Sequence, residues 1–444
     1  MRGAIAAGHP LTAEAGGRVL REGGNAVDAC LAAAFMAAVA EGPLTGPTGG
    51  GFLLVAEPGA APVVLDCFFA CPTRRLGAMD EVLVEFADSG TQAFHVGEGS
   101  VAVPGLLSGL EEAHRRFASR PWPELVEPAI AQARLGVPVD APRAFLHRVL
   151  SGILLRTAEG ARVFGHPDRV ATEELAPTLE LVRDHGARAV AELVPELAED
   201  LAAYRVTELD PLSADLDGLN ALTAPAPSRG GAIALDILRG LVGLETWSLD
   251  AEASIVAHAY ERSWNGPRSG TTHISVVDSS GTAASLSSTL GSGSGVFRGG
   301  TQLNNMLGEL DVVGTDDVAP GSRIPSMMAP TIVLESGLPR LVVGSAGSVR
   351  LAGAIAQVTW RVLRGTHVGA AIDAPRLHVE GRTLHLEGGW PDEDVARLPE
   401  TWEVVRWGGL NLYFGGVQAV ERTADGRLAA AGDPRRGGVG LVVA

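Results

Sequence analysis

Two threonines, Thr271 and Thr289, are the residues of this sequence best suited to chemistry. Each stands at the outer end of a run rich in β-branched and small polar residues, and residues 278–281 between the runs are typical of a tight hairpin turn. Counting outward from this turn places Thr271 beside Ser288 or Thr289 on the facing strand, where side chains touch. If the bond after Gly270 were cut, Thr271 would become an N-terminal residue that carries both a nucleophile and its own base.

The chemistry of such a residue follows from its free α-amine. A terminal amine has a pKa of about 7.7–8.0, so a fraction of it is neutral near pH 7 and accepts the hydroxyl proton. Thr289 would then hydrogen-bond the Thr271 hydroxyl and hold it in one rotamer. Taken alone, the hairpin favours a purely structural interpretation, because threonine is common in strands and paired threonines occur there often.

The composition limits the classes of function. The chain has 444 residues, of which 46% are hydrophobic, which is typical of a globular protein with one large or two ordinary domains. Its formal charge of −17 argues against nucleic acid and anionic membranes as partners. The sequence contains no lysine. This excludes a Schiff-base lysine, a phosphate-loop lysine and a catalytic serine–lysine pair.

The cysteines and the N-terminus indicate the compartment. Three cysteines, Cys30, Cys67 and Cys71, fit a reducing compartment better than a disulfide framework. No matching His or Cys pair follows Cys67 and Cys71, so we expect neither a metal site nor a cofactor. The N-terminal segment is broken by Gly8 and Pro10, which argues against a signal peptide, and no apolar run has membrane-spanning length. The sequence predicts a soluble, cytoplasmic protein.

The elements that position the threonines can be read from the apolar pattern. Asn25 caps a helix that is apolar nearly all round and is therefore expected to be buried. The pattern predicts helices at residues 11–22, 26–40, 232–241 and 252–262, and strands at 52–55, 63–66, 331–334 and 339–343.

A glycine-rich turn follows the strand at residues 339–343. Gly347 and Ser348 lie in this turn, which opens a predicted helix from about Val349 to Arg364. Backbone N–H groups at such a helix N-terminus point outward and suit an anion or an oxyanion. A plain strand-to-helix connection is an equally simple explanation of the pattern at this point.

Several collinear motifs together resemble the γ-glutamyltranspeptidase (γ-glutamyltransferase) family of N-terminal-nucleophile hydrolases. They span nearly the whole chain: residues 23–29 (GGNAVDA), 46–52 (GPTGGGF), 103–105 (VPG), 125–130 (LVEPAI), 271–278 (TTHISVVD), 303–306 (LNNM), 328–331 (MAPT), 373–376 (DAPR) and 432–437 (GDPRRG).

The resemblance implies a fold and a maturation step. The fold would be a four-layer αββα sandwich of the α/β (α+β) class. The precursor would cleave itself before Thr271 into a large subunit, 1–270, and a small subunit, 271–444, which stay together in one intertwined fold. Thr271 would be the nucleophile, Thr289 its hydrogen-bonding partner, and the N–H groups near Gly347 and Ser348 the oxyanion hole. A small molecule would be the substrate, and the sequence leaves a homo-oligomer open.

The positions that the resemblance assigns to the substrate pocket depart from the family's pattern. The place of the arginine that holds an α-carboxylate is taken by Phe68, and the family's asparagine after the second threonine and its polar residue after Asn-Asn correspond to Gly291 and Met306. Glu309 stands where an aspartate holds the substrate amine and stays a possible partner for that amine. The family's serine pair becomes Ser326, which keeps one hydroxyl, and Met327, and the second glycine of the oxyanion pair becomes Ser348. A carboxylate that loses its water needs a paired cation. We therefore expect glutathione to be a poor substrate. The segment that the family carries before its nucleophile is also almost wholly absent.

The leading hypothesis is a self-processing N-terminal-threonine hydrolase or acyltransferase that acts on an amide or related acyl substrate other than an ordinary γ-glutamyl compound. One alternative is a C–C bond hydrolase on the same scaffold, in the biosynthesis of alkyl-proline natural products. A second alternative is a catalytically inactive family member with a binding role, against which the intact Thr271 and Thr289 argue.

Overall fold

The computed structural model describes residues 2–86, 90–263, 270–309 and 319–444. Its strands, in chain order, are β1 (Gly3–Ala7), β2 (Gly50–Ala56), β3 (Val63–Cys67), β4 (Asp80–Phe86), β5 (Gly90–Val96), β6 (Val137–Pro138), β7 (Arg169–Val170), β8 (Thr207–Leu209), β9 (Leu212–Leu216), β10 (Leu219–Thr223), β11 (Thr272–Asp278), β12 (Ala283–Thr289), β13 (Phe297–Arg298), β14 (Thr301–Gln302), β15 (Thr331–Glu335), β16 (Leu338–Ala346), β17 (Leu377–Glu380), β18 (Thr383–Leu386), β19 (Glu403–Arg406), β20 (Gly416–Arg422), β21 (Leu428–Gly432) and β22 (Val439–Val443).

Helices flank these strands. They are α1 (Pro10–Arg21), α2 (Ala26–Ala40), α3 (Leu106–Phe117), α4 (Trp122–Leu135), α5 (Ala141–Val149), α6 (Ser151–Leu154), α7 (Ala158–Phe164), α8 (Leu175–His185), α9 (Ala189–Leu193), α10 (Ala198–Ala203), α11 (Gly230–Val242), α12 (Leu249–Ser263), α13 (Leu351–Leu363), α14 (Val368–Asp373) and α15 (Asp392–Val395). Every helix and strand predicted above is present, with ends that differ by a few residues.

Two sheets form the centre of the molecule. The first has seven strands in the order β22-β1-β11-β12-β2-β3-β8, and the second has six in the order β21-β20-β16-β15-β10-β9. The chain crosses between the sheets, so residues far apart in sequence become neighbours: β11 lies between β1 and β12, more than 260 residues from β1. Four smaller sheets, β4-β5, β6-β7, β13-β14 and β17-β18-β19, lie outside this pair.

The apolar residues separate into layers. Side chains from both sheets, among them Phe52 and Leu54 of β2 and Ile332 and Val342 of β15 and β16, share one buried cluster between the sheets. A second cluster joins the first sheet to helices α1 to α4, and a third joins the second sheet to α11, α12 and α13. The order helix, sheet, sheet, helix is the four-layer αββα sandwich expected from the sequence.

Local signals explain where two of the important helices begin. The Asn25 side chain accepts a hydrogen bond from the Asp28 amide while the Asp28 carboxylate accepts one from the Asn25 amide, which is a capping box at the start of the fully buried α2. After β16, a 3₁₀ turn over Ser348–Arg350 precedes α13. The predicted helix therefore starts two residues later, at Leu351.

The described part of the chain has neither a membrane-spanning helix nor a cluster of metal-ligating side chains. Among the described residues, no helix is both long and apolar enough to cross a membrane. Across the same residues, His, Cys, Asp and Glu side chains form no group of three or more that would hold a metal ion.

Candidate active site

The predicted threonine hairpin is present. Strands β11 and β12 pair antiparallel with Thr272 opposite Ser288. One residue further out, this register sets Thr271 opposite Thr289. Both threonines are buried, at 1% exposure each.

The Thr289 hydroxyl lies on the peptide bond that precedes Thr271. Its oxygen accepts a hydrogen bond from the Gly291 amide, with an N–O distance of 2.8 Å, and the hydroxyl donates to the carbonyl oxygen of Gly270. The Gly270 amide in turn donates to the Gly291 carbonyl over 3.1 Å. Since a carbonyl carries no hydrogen, the Thr289 proton must point at Gly270, toward the carbonyl that self-cleavage would attack.

A buried glutamate fixes the residue after Thr271. The Thr272 hydroxyl donates to Glu41 over 2.5 Å, and the Thr12 hydroxyl donates to the other carboxylate oxygen over 2.7 Å. Burial raises the pKa of Glu41, against the hydrogen bond from Thr272 and the charge of Arg143, which lower it. Because successive strand residues face opposite sides, anchoring Thr272 toward the helices turns Thr271 toward the second sheet.

The sequence did not single out Glu41. Its one signal was an acidic residue directly after the apolar helix 26–40. That position does not reveal a partner 231 residues further along the chain.

A buried histidine holds the start of β11 against the end of β16. The His273 ring hydrogen-bonds Ser287 at 2.9 Å and Ser275 at 3.0 Å. It packs so closely on Gly344 that a Cβ built there would lie 2.2 Å from the ring. Burial lowers the pKa of His273 to about 3, so the ring is neutral at physiological pH. This contact brings Gly347, three residues beyond Gly344, to the same end of the sandwich as Thr271.

The predicted oxyanion segment has the required backbone shape. Gly347 follows β16 directly and has a φ of 127°, a conformation that L side chains rarely adopt. A Cβ built on it would lie 2.7 Å from the Cα of Gly415. The 3₁₀ turn then begins at Ser348. That the N–H groups of Gly347 and Ser348 bind an oxyanion stays a prediction.

Gly291 and Glu309 lie together beside Thr289. Glu309 is buried, and one carboxylate oxygen accepts hydrogen bonds from the amide and the hydroxyl of Ser292, each over 3.2 Å. Gly291 has a φ of 72°, and a Cβ there would lie 2.2 Å from the Asn305 side-chain oxygen. The close packing therefore excludes a side chain at position 291 in this arrangement.

Phe68 and Met306, two of the candidate substrate residues, lie in the buried cluster between the sheets, and they are called the apolar wall below. Phe68 is 2% exposed, and its ring centroid lies 5.5 Å from that of Phe52 and 4.9 Å from that of Phe69. Met306 belongs to the same buried cluster. The position where the family resemblance places an arginine is thus filled by stacked aromatic rings.

Arg323 and Arg298, two possible cations for a substrate carboxylate, are engaged by groups of the protein. Arg323 donates to the Phe68 carbonyl over 2.8 Å, lies 3.5 Å from the Asp66 carboxylate and stacks 4.2 Å from the centre of the Tyr204 ring. Arg298 pairs with Glu196 over 2.7 Å. Both guanidinium groups are therefore paired with carboxylates of the protein.

Ser326 and Met327 are both buried but have different surroundings, and their binding of substrate stays a prediction. The Ser326 hydroxyl accepts from the Met328 amide over 3.1 Å. Met327 packs in the outer cluster between the second sheet and its helices, whereas Phe68 and Met306 lie between the sheets. Residues 264–269, which contain the shortened segment before the nucleophile apart from Gly270, lie outside the described residues.

Comparison with known proteins decides the family. The family model described as gamma-glutamyltranspeptidase matches residues 12–265 and 248–443, which together cover nearly all of the chain. The chain belongs to the γ-glutamyltranspeptidase family. Relatives in this family carry the names of hydrolases and acylases. This protein is an enzyme of the same family.

Three relatives illustrate the range of this family. A glutathione hydrolase proenzyme of Pseudomonas aeruginosa is 30% identical over 99% of this chain and 94% of its own length. The acylase ACY 1 proenzyme of Pseudomonas sp. strain SE83 is 26% identical over 100% of this chain and 94% of its own. The structure of the cephalosporin acylase from Bacillus halodurans superposes with a TM-score of 0.83 at 21% identity, covering 99% of this chain and 95% of that one.

Proposed function

We propose that this enzyme is a self-processing N-terminal-threonine hydrolase or acyltransferase whose acyl substrate lacks the free α-carboxylate of a γ-glutamyl compound. The observation that carries the proposal is the hydrogen bond from Thr289 to the Gly270 carbonyl. This carbonyl belongs to the peptide bond directly before Thr271. Cleavage there would separate residues 1–270 from residues 271–444. The proenzyme names of the relatives support such a step.

The cleavage balances as an N→O acyl shift followed by hydrolysis. The Thr271 hydroxyl oxygen attacks the Gly270 carbonyl carbon, and negative charge develops on the carbonyl oxygen that receives the Thr289 hydrogen bond. The C–N bond then breaks, the hydroxyl proton goes to the nitrogen, and an ester joins Gly270 to Thr271. This step already frees the α-amine of Thr271; water then hydrolyses the ester, which releases Gly270 as a carboxylate and returns the Thr271 hydroxyl.

The same groups would serve substrate turnover. The freed amine takes the hydroxyl proton as the Thr271 oxygen attacks the substrate carbonyl carbon. The bond to the leaving amine then breaks, that amine takes the proton, and the acyl group on Thr271 passes to water or to another amine. Thr289 keeps its hydroxyl at the attacked centre. The backbone of Gly347 and Ser348 is proposed to bind the oxyanion.

The apolar wall supports the choice of substrate. A carboxylate set against Phe68 and Met306 would lose its water without gaining an ion pair, which is strongly unfavourable. The names of two relatives, acylase and cephalosporin acylase, show that this scaffold also carries acylases. An uncharged acyl group would contact this apolar wall at a lower desolvation cost than a carboxylate.

The experiment compares two anilides with wild-type enzyme and Thr271→Ala. We expect wild type to hydrolyse butyryl p-nitroanilide faster than γ-glutamyl p-nitroanilide, and the alanine variant to hydrolyse neither. Rapid hydrolysis of the γ-glutamyl compound would overturn the assignment of the pocket. Undiminished activity of Thr271→Ala would overturn the assignment of the nucleophile.

A further inference from the structure

A second pocket lies at the same end of the sandwich and is lined by cationic side chains. Its walls come from the end of β1, the end of α2, helix α5 and the two turns at 412–414 and 434–436. They include Gly8, Glu41, Leu44, Arg143, His147, Leu412, Arg435 and Arg436. None of these residues belongs to the apolar wall of Phe68 and Met306.

This arginine pocket borders the candidate nucleophile on both sides. Glu41 accepts the hydrogen bond from Thr272, the residue after Thr271. The Leu44 side chain lies 3.3 Å from the Cβ position of Gly270, the residue before Thr271. The arginine pocket therefore lies against the chain on both sides of Thr271.

Two of the three arginines in the pocket are neutralised by carboxylates. Arg435 pairs with Glu387 over 2.5 Å and with Asp433 over 3.2 Å. Arg143 pairs with Asp140 and donates to the Gly8 carbonyl over 2.8 Å. Their charges are balanced within the protein.

Arg436 is different. Within the described residues its side chain makes one hydrogen bond, from Nη2 to the Leu412 carbonyl over 3.2 Å, and no carboxylate lies within ion-pair distance of it there. Its Nε is buried without a partner there. Burial lowers the pKa of Arg436 to about 10, so it remains a cation at neutral pH. The nearby Asp433 carboxylate also acts on Arg436, but it is already paired with Arg376 and Arg435, so a further anion beside Arg436 would be favoured.

The backbone around Arg436 is held rigidly toward the site. The Asp433 side chain accepts from the Arg435 amide over 3.0 Å and pairs with the buried Arg376 over 2.7 Å, which fixes the turn. Arg436 Nη2 lies 3.8 Å from the Cβ position of Gly347. The guanidinium thus stands beside the proposed oxyanion segment.

We propose that the arginine pocket binds a carboxylate on the leaving amine of the substrate, so that the enzyme prefers acyl derivatives of carboxylate-bearing amines. This inference rests on the proposed function for its place in turnover. The acyl group lies on the apolar wall of Phe68 and Met306, while Arg436 pairs with the carboxylate of the amine. A carboxylate–guanidinium pair in a partly buried pocket adds both affinity and orientation.

Binding of 4-aminobenzoate to the whole protein, measured by calorimetry against aniline, tests the inference without any turnover. We expect 4-aminobenzoate to bind more tightly than aniline, and Arg436→Gln to weaken it about tenfold or more while leaving aniline unchanged. The exposed Arg397→Gln, with the same loss of charge, is expected to bind as wild type does. Equal binding of 4-aminobenzoate by wild type and Arg436→Gln would overturn the inference.

A matched pair of variants decides the question if Arg436→Gln does not fold. Leu412 lines the pocket and is half-buried. Leu412→Asp would place an internal carboxylate beside Arg436 and should displace 4-aminobenzoate, whereas the isosteric Leu412→Asn should retain it. Equal binding by the two variants would contradict an anion site. Because these readouts are independent of hydrolysis, loss of the proposed activity with intact binding would point to the nucleophile and not to this pocket.

Discussion

The hydroxyl of Thr289 donates a hydrogen bond to the carbonyl oxygen of Gly270. This places a proton donor on the carbonyl of the bond before Thr271 in the uncut chain. The contact arises because β11 and β12 pair in a register that sets the two threonines opposite each other. Proton donors at a carbonyl are most valuable when that oxygen becomes negative, so this residue should matter to both cleavage and turnover.

Thr289→Val keeps the shape of the side chain and removes the hydrogen bond. A hydrogen bond contributes about 0.5–1.5 kcal/mol in a ground state and often more in a transition state, so we expect cleavage and turnover to slow about tenfold or more. Both rates are measured by gel and by anilide hydrolysis. Thr223→Val removes a buried threonine hydroxyl from β10 and should leave both rates near wild type. Full activity of Thr289→Val would show that Thr289 is a structural strand residue.

Phe68→Arg restores the cation that γ-glutamyl substrates require. We expect hydrolysis of γ-glutamyl p-nitroanilide to increase over wild type, while the melting temperature falls because the Phe68 ring packs on Phe52 and Phe69. Phe68→Met replaces the ring with an uncharged, flexible side chain. It should lower stability and leave γ-glutamyl hydrolysis unchanged. An equal increase in both variants would mean that space, and not charge, limits this substrate.

His273 should make the protein less stable in acid. Unfolded, its ring takes up a proton below about pH 6.5, whereas in the folded protein it stays neutral down to about pH 3. The unfolded state therefore binds more protons between these two pH values. The free energy of unfolding decreases as the pH is lowered, by up to about 1.4 kcal/mol per pH unit.

Denaturant unfolding of wild type and His273→Gln between pH 7 and pH 4 measures this effect. The glutamine variant should be less stable than wild type at pH 7, and the difference should narrow as the pH falls. The exposed His185→Gln serves as the control and should follow wild type throughout. A difference that stays constant with pH would show that His273 is not a buried neutral base.

Much of the fold was predictable because its signals are local. The turn at residues 278–281 and the alternating strands around it fixed the hairpin, and Asn25 with Asp28 marked the start of α2. The four-layer architecture came from the family resemblance, because sheet order depends on contacts between distant segments such as β1 and β11.

The site was predictable in part. The pairing of Thr271 with Thr289 follows from counting along one hairpin, and no distant contact enters that count. The sequence did not indicate the roles of Glu41 and Arg436, because their partners lie more than 20 residues away along the chain. The position of the Met327 side chain was not predictable either. It packs in the outer cluster between the second sheet and its helices, whereas Met306 packs between the sheets.

The central claim is that the chain cuts itself between Gly270 and Thr271. Intact-mass measurement and N-terminal sequencing of the purified protein test it most directly, with Thr271→Ser and Thr271→Ala as matched variants. We expect wild type to give two fragments, the smaller beginning Thr-Thr-His-Ile, the serine variant to cleave at the same bond, and the alanine variant to remain one chain. An uncut wild-type protein, a fragment beginning elsewhere, or cleavage of Thr271→Ala would contradict the account.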